Sequence, residues 1–176
     1  TNNGIGASGL IIDGTEEQKQ YFLPRLASGE IIGSFCLTEP DSGSDAASLK
    51  TTAVKDGDEY ILNGTKRFIT NAPHAGAFTV MARTNLELKG SAAISAFIVD
   101  SKTRGISLGK RDKKMGQKGA HTCDVIFENC RIPASALIGG VEGVGFKTAM
   151  KVLDKGRIHI AALSVGAATR MLDDSL

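Results

Sequence analysis

Residues 34–44 read S-F-C-L-T-E-P-D-S-G-S, an apolar run that gives way to hydroxyls, acids and a glycine. Thr38 and Ser44 can each donate or accept hydrogen bonds. Asp41-Ser42-Gly43-Ser44-Asp45 concentrates turn formers. Such a loop exposes backbone N–H groups and hydroxyls, which suits an anionic or heteroaromatic ligand. Further along, Phe68-Ile69-Thr70 sets an aromatic wall beside another hydroxyl. Asp154 and Arg157 stand three apart, and Arg157 interrupts an otherwise apolar stripe. Its guanidinium can bond carbonyls, adenine or phosphates; an intrahelical pair with Asp154 is the alternative. On spacing alone, Thr38 and Thr70 also read as strand-end hydroxyls and Phe68 as core. His121 and Cys123 share a strand face that a metal could use, but no second pair follows, and strand packing accounts for them. No metal site is expected. His74 and His159 show no partner in the sequence. The basic run Lys110-Arg111-Asp112-Lys113-Lys114 reads as a solvated loop. The glycine-rich residues 139–145 lack the βαβ context of a dinucleotide fingerprint.

These groups need elements to hold them. Ile31, Gly33, Phe35 and Leu37 alternate with Ile32, Ser34, Cys36 and Thr38. That period of two predicts a strand with Phe35 and Leu37 on one face and Cys36 and Thr38 on the other. Pro40 should end it. Before it, residues 1–30 look helical. Thr15-Glu16-Glu17-Gln18 is a capping box, with both glutamates where the helix dipole favours them. Pro24 should start a second short turn and Gly29 should stop it. After it, residues 31–138 are strands and turns. Asp56-Gly57 signals a hairpin, and Gly64 should break the chain before a further strand. Many short strands without a long helix between them argue for an antiparallel barrel or sandwich, and the fold class is α+β. Residues 139–176 form a flexible connection and then a proline-free stretch of about thirty residues in which Phe146, Met150, Leu153 and Ile160 follow helical spacing.

The chain has 176 residues, 41% hydrophobic and 23% charged, as in an ordinary globular protein. A net charge of +2 gives no electrostatic case for nucleic acid. No apolar run is long enough to span a bilayer. Cys36, Cys123 and Cys130 form no C-x-x-C pair, which favours a reducing compartment.

Taken in order, several blocks resemble the acyl-CoA dehydrogenase family. Cys36-Leu37-Thr38-Glu39-Pro40 with Ser42-Gly43-Ser44-Asp45 is similar to its first flavin signature. Gly57-Asp58-Glu59-Tyr60-Ile61-Leu62-Asn63-Gly64-Thr65-Lys66 and Phe68-Ile69-Thr70-Asn71 resemble the next blocks, the latter with Phe68 where the family usually has Trp. Met115-Gly116-Gln117, Ile132-Pro133, Gly143-Val144-Gly145-Phe146 and Asp154-Lys155-Gly156-Arg157 fit the later ones.

The resemblance implies the end of an N-terminal helical domain (1–30), a middle FAD- and acyl-CoA-binding β domain (31–138) and the first helix of a C-terminal helical domain (139–176). A start at Thr1 without Met fits a fragment. The implied reaction is FAD-dependent α,β-dehydrogenation of acyl-CoA to trans-2-enoyl-CoA. Phe35, Cys36, Leu37, Thr38, Gly43, Ser44, Phe68, Ile69 and Thr70 are the implied cofactor residues, with Thr70 near flavin N5. Ser44, Asp154 and Arg157 are the implied substrate residues. Asp41 replaces a usually small residue and should face solvent, because a carboxylate beside the flavin pyrophosphate would be repelled.

The catalytic base is expected on a glutamate beyond Leu176, since Gly156 occupies the position where a minority of the family carries it. The implied partners are electron-transferring flavoprotein as acceptor and further copies of the full-length chain, as a dimer or tetramer. The location would be cytoplasmic in a bacterium and the mitochondrial matrix in a eukaryote. A cofactor-free β-domain fragment and an acyl-CoA oxidase are the alternatives.

Overall fold

The computed structural model describes residues 4–176. Two helices open the described chain: α1 (Ile5–Asp13) and α2 (Glu16–Ser28). Seven strands follow: β1 (Gly33–Cys36), β2 (Thr52–Asp56), β3 (Glu59–Thr70), β4 (Ala77–Arg83), β5 (Ile94–Asp100), β6 (Ile106–Leu108) and β7 (Thr122–Pro133). A long helix, α3 (Gly145–Asp173), closes it. No helix is long and apolar enough to cross a membrane among the described residues.

The α+β class holds, but the sheet is mixed rather than wholly antiparallel. β4 runs antiparallel to β5 along one edge. On its other edge β1 runs parallel to its first half, from Gly33 opposite Ala77 to Cys36 opposite Val80. β2 meets only its last residue, Thr52 opposite Arg83, also in parallel. Residues 37–51 must loop out between those two partners. β2 and β3 form the hairpin signalled by Asp56-Gly57, and β3, β7 and β6 continue antiparallel.

Strand alternation divides the core in two. Phe78, Val80 and Ala82 of β4, with Phe97 and Val99 of β5, fill one face of the sheet beside Cys36, Leu62 and Val125. Ala77 and Met81 of β4, with Ile94, Ala96 and Ile98 of β5, meet the helices through Ala7, Leu10, Leu26 and Ala149. A continuous sheet buried on both faces explains why β4 and β5 read as apolar runs.

Two local readings change. α2 does not stop for a second turn at Pro24 but continues through it to Ser28, ending at Gly29 with φ 79°. Pro24 removes one backbone donor, and the residue four before it, Gln20, is exposed. Gly64 does not break the chain either: β3 passes through it with φ 147°, and the register shifts between Leu62 and Gly64. A Cβ at this position would come within 2.7 Å of Thr51 Cα. The glycine therefore admits a bulge inside a strand.

Gln18 does more than close its capping box. Its Oε1 accepts the Thr15 N–H at 3.0 Å, while Nε2 donates to the Ser135 and Leu137 carbonyls at 2.8 Å each. One side chain thus ties α2 to the segment that follows β7. Gln18→Met is expected to leave the buried Leu137 carbonyl unpaired and cost about 1–3 kcal/mol in urea unfolding. Gln20→Ala, at an exposed position, should be near neutral.

Candidate functional site

β1 ends at Cys36, and the chain then crosses to the end of β3. Two hydrogen bonds make the junction: Ser34 Oγ donates to the Thr70 carbonyl at 2.8 Å, and the Arg67 N–H donates to the Thr38 carbonyl at 2.8 Å. Between these two ties lies a pocket of about 190 Å³, lined by Ser34, Phe35, Leu37, Thr38, Arg67, Phe68, Ile69 and Thr70. Ile5 and Gly6 of α1 and Leu153 of α3 close its helical side.

The shape of β3 here comes from a second register shift, between Lys66 and Ile69. Phe68 takes φ 58°, an uncommon conformation for an aromatic residue. Positive φ outside glycine costs on the order of 1–3 kcal/mol. The flip sends Ile69 into the core and leaves Phe68 59% exposed at the pocket wall. Arg67 braces it, with the guanidinium 4.5 Å from the ring centroid. Arg67 is itself held by both carboxylate oxygens of Asp124, at 2.8 and 2.9 Å.

Six of the sequence-based cofactor candidates therefore meet in one pocket: Phe35, Leu37, Thr38, Phe68, Ile69 and Thr70. Cys36 does not line it. The period of two turns its side chain into the opposite core, where it is fully buried and burial pushes its thiol far above the ordinary range. Gly43 and Ser44 are exposed on the following turn, outside the pocket. Asp41 faces solvent and pairs with Lys50 at 2.8 Å, as its charge requires. Asp154 and Arg157 are exposed on α3 and pair with each other at 2.6 Å. Arg157 also borders an apolar groove of about 660 Å³ along α3. That groove shares Ile5 and Leu153 with the pocket, so the two adjoin. No carboxylate lines the pocket among the described residues.

A buried ion pair behind the pocket was not anticipated. Lys66 is fully buried, and its Nζ donates to Glu39 Oε1 at 2.8 Å and the Leu37 carbonyl at 3.3 Å. Glu39 also accepts the N–H groups of Lys50 at 2.6 Å and Thr51 at 3.0 Å. Burial alone would raise the Glu39 carboxyl, but Lys66 and these donors outweigh it and hold it below its usual range. Burial pulls the Lys66 ammonium down from its usual range, with Glu39 opposing. The pair anchors both ends of residues 37–51, the loop that carries Thr38. The signal was present in the sequence: Lys66 shares its parity with Tyr60 and Leu62, both inward. His74, which showed no partner in the sequence, has one in His121, 3.0 Å away. Cys123 is buried in the core and apart from that pair, and no group of three metal-ligating side chains occurs among the described residues.

Known proteins share this sequence and this fold. The family described as acyl-CoA dehydrogenase, middle domain, matches residues 34–130. The mitochondrial isobutyryl-CoA dehydrogenase of Dictyostelium discoideum is 52% identical over 94% of this chain, which spans 39% of that relative. The solved butyryl-CoA dehydrogenase of Megasphaera elsdenii is 42% identical with a TM-score of 0.89, over 94% of this chain and 43% of that one. An acyl-CoA dehydrogenase from Bacillus anthracis, solved in complex with FAD, is 40% identical with a TM-score of 0.88, over 95% of this chain and 28% of its own. By the match across its sheet and by this identity, the chain belongs to the acyl-CoA dehydrogenase family.

Proposed function

We propose that this chain forms one wall of the FAD site of an enzyme that oxidises acyl-CoA thioesters to trans-2-enoyl-CoA, as part of a longer protein. The observation that carries the reading is the convergence of β1 and β3, which brings Thr38, Phe68 and Thr70 into a single pocket. Its chemistry suits a flavin ring: Phe68 offers an exposed aromatic face, and two threonine hydroxyls can bond ring heteroatoms. FAD, when bound, supplies the hydride acceptor.

The protein's part is to orient and exclude water. The Ser34–Thr70 and Thr38–Arg67 bonds fix the separation of the two walls. The apolar groove along α3 offers room for an acyl chain beside the ring pocket. Ser44, Asp154 and Arg157 hold the CoA portion, with Arg157 at the groove's rim. The base would be a glutamate beyond Leu176, as the resemblance implies; no carboxylate lines the pocket among the described residues, and Gly156 has no side chain. Electron-transferring flavoprotein takes the electrons. The longer protein assembles as a dimer or tetramer, and the exposed Ile158, Ile160 and Leu163 of α3 fit packing against further helices.

Titration of the purified chain with FAD, followed by flavin fluorescence and visible absorbance, tests the pocket. Saturable quenching is expected, weakened about tenfold or more in Thr38→Ala/Thr70→Ala as two hydrogen bonds are lost. An unchanged flavin spectrum at saturating protein would defeat the reading. With butyryl-CoA added, the bound flavin should stay oxidised; bleaching would show that the chain holds its own base.

A further inference from the structure

A further apolar cleft, of about 580 Å³, lies between α2 and the ends of β5 and β7. It shares no lining residue with the ring pocket or with the groove along α3. The two halves of the core meet at it: Ile132 and Leu137 belong to one, Ile98 and Phe22 to the other. Gln18 fixes one end of α2 through the Ser135 and Leu137 carbonyls. One turn on, Tyr21 lines the cleft and stays 58% exposed. The Arg25 guanidinium lies 5.0 Å from its ring centroid, and Phe22 meets it edge-on at 4.8 Å. A braced aromatic ring with a polar tip, beside an apolar cleft, is the kind of group on which binding partners anchor.

The charge of the cleft is one-sided. Glu17 and Asp100 are the charged residues that line it, and neither is ion-paired among the described residues. No lysine or arginine lines it among those residues. The Glu17 N–H, and then the Thr15 hydroxyl, hold the Glu17 carboxyl below its usual range. Asp100 Oδ1 accepts the Lys102 N–H at 2.8 Å, which fixes that side chain at the end of β5. The cations of α2 have carboxylates of their own: Lys19 pairs with Glu16 at 3.1 Å and Arg25 with Glu30 at 2.7 Å.

This chemistry is opposite to that of the flavin ligands. FAD and CoA carry phosphates, which Glu17 and Asp100 would repel. An apolar group flanked by positive charge is complementary instead. The volume falls within the range of about 300–1,000 Å³ usual for ligand clefts, room for a few side chains rather than a folded domain. We propose that this cleft is a docking surface for an extended segment of a partner protein, one that presents an aromatic or aliphatic side chain beside lysine or arginine. Docking here is independent of the flavin reading.

The test is a titration of the chain with an acetylated tetrapeptide amide, lysine-phenylalanine-leucine-lysine, followed by amide NMR. Saturable shifts are expected at Tyr21, Thr103 and residues 134–136. Affinity should fall at higher salt and fall about threefold or more in Glu17→Gln/Asp100→Asn. The same peptide with glutamates in place of its lysines should bind about tenfold more weakly or worse. Ser135→Trp, at an exposed position lining the cleft, should block binding by filling the space. Unchanged thermal unfolding of each variant separates lost binding from lost folding. No saturable shift at these amides, equal binding of the acidic peptide, or undiminished affinity in both variants overturns the docking surface. If octylamine binds as tightly as the peptide, the cleft takes small amphiphiles and is no docking surface. Thr38→Ala/Thr70→Ala should bind the peptide as the unaltered chain does, so the result stands even where the flavin reading fails.

Discussion

Lys66→Met should destabilise the chain by about 3–5 kcal/mol, because it strands the Glu39 carboxylate in the interior without its cation. Urea unfolding measures the loss. Glu39→Gln combined with Lys66→Met should recover part of it, since neither partner then carries a buried charge. The effect should reach the pocket as well: Glu39 holds the N–H groups of Lys50 and Thr51, and Lys66 holds the Leu37 carbonyl, so the loop bearing Thr38 loosens. FAD affinity should fall with stability. The pair also sets an acid limit. The folded Glu39 carboxyl lies below its ordinary value of 4.5, so its contribution is fully present above that pH and is lost as pH falls through the lower folded value. The double variant should show a flatter decline of stability in that window. An equal slope in both proteins would remove Glu39 as the cause.

Gly145→Ala is the second large effect. The first residue of α3 rests on the backbone of β5, and a Cβ there would lie 2.6 Å from Ser95 Cα and closer still to the Ser95 carbonyl carbon and Ala96 nitrogen. Backbone cannot yield as a side-chain tip can, so the helix must move. Overpacking of this kind costs about 1–3 kcal/mol. The shift would disturb Ala149 and Val152, which are fully buried, and the bond from Thr148 Oγ1 to Asp13 Oδ2 at 2.6 Å. It would also carry Leu153 away from the pocket. Thermal unfolding and FAD affinity should therefore fall together. Gly166→Ala in the same helix is the control: nothing lies within 4 Å of its Cβ, and alanine is the better helix former.

Features decided by neighbours in sequence were legible. The Thr15–Gln18 capping box, the stop at Gly29, the Asp56-Gly57 hairpin and the start of α3 each depend on a few adjacent residues. Strand parity correctly separated Phe35 and Leu37 from Cys36, although the resemblance then grouped all three at the cofactor. What stayed hidden was set by partners far along the chain. The parallel contact of β1 with β4 joins strands some forty residues apart, and no local signal fixes its sense. The bulge at Phe68 reverses which residue faces inward, so a uniform alternation misplaces it. Lys66 has the inward parity of Tyr60 and Leu62, but only Glu39, 27 residues away, makes its burial tolerable, and nothing local pairs the two. His74 and His121 stand 47 residues apart and meet where β3 ends and β7 begins.

The seam between α1 and α3 has a consequence for how the chain is made. Asp13 bonds Thr148 and Lys151 across 135 and 138 residues. At the pace of translation, that separation is a delay on the order of ten seconds. During it α1 is already outside the ribosome, with Ala7 and Leu10 lacking the helix that covers them. Such exposure is what chaperones recognise and what aggregation exploits. Assembly at this seam therefore reverses the order of synthesis: the first described helix to emerge is among the last to be covered.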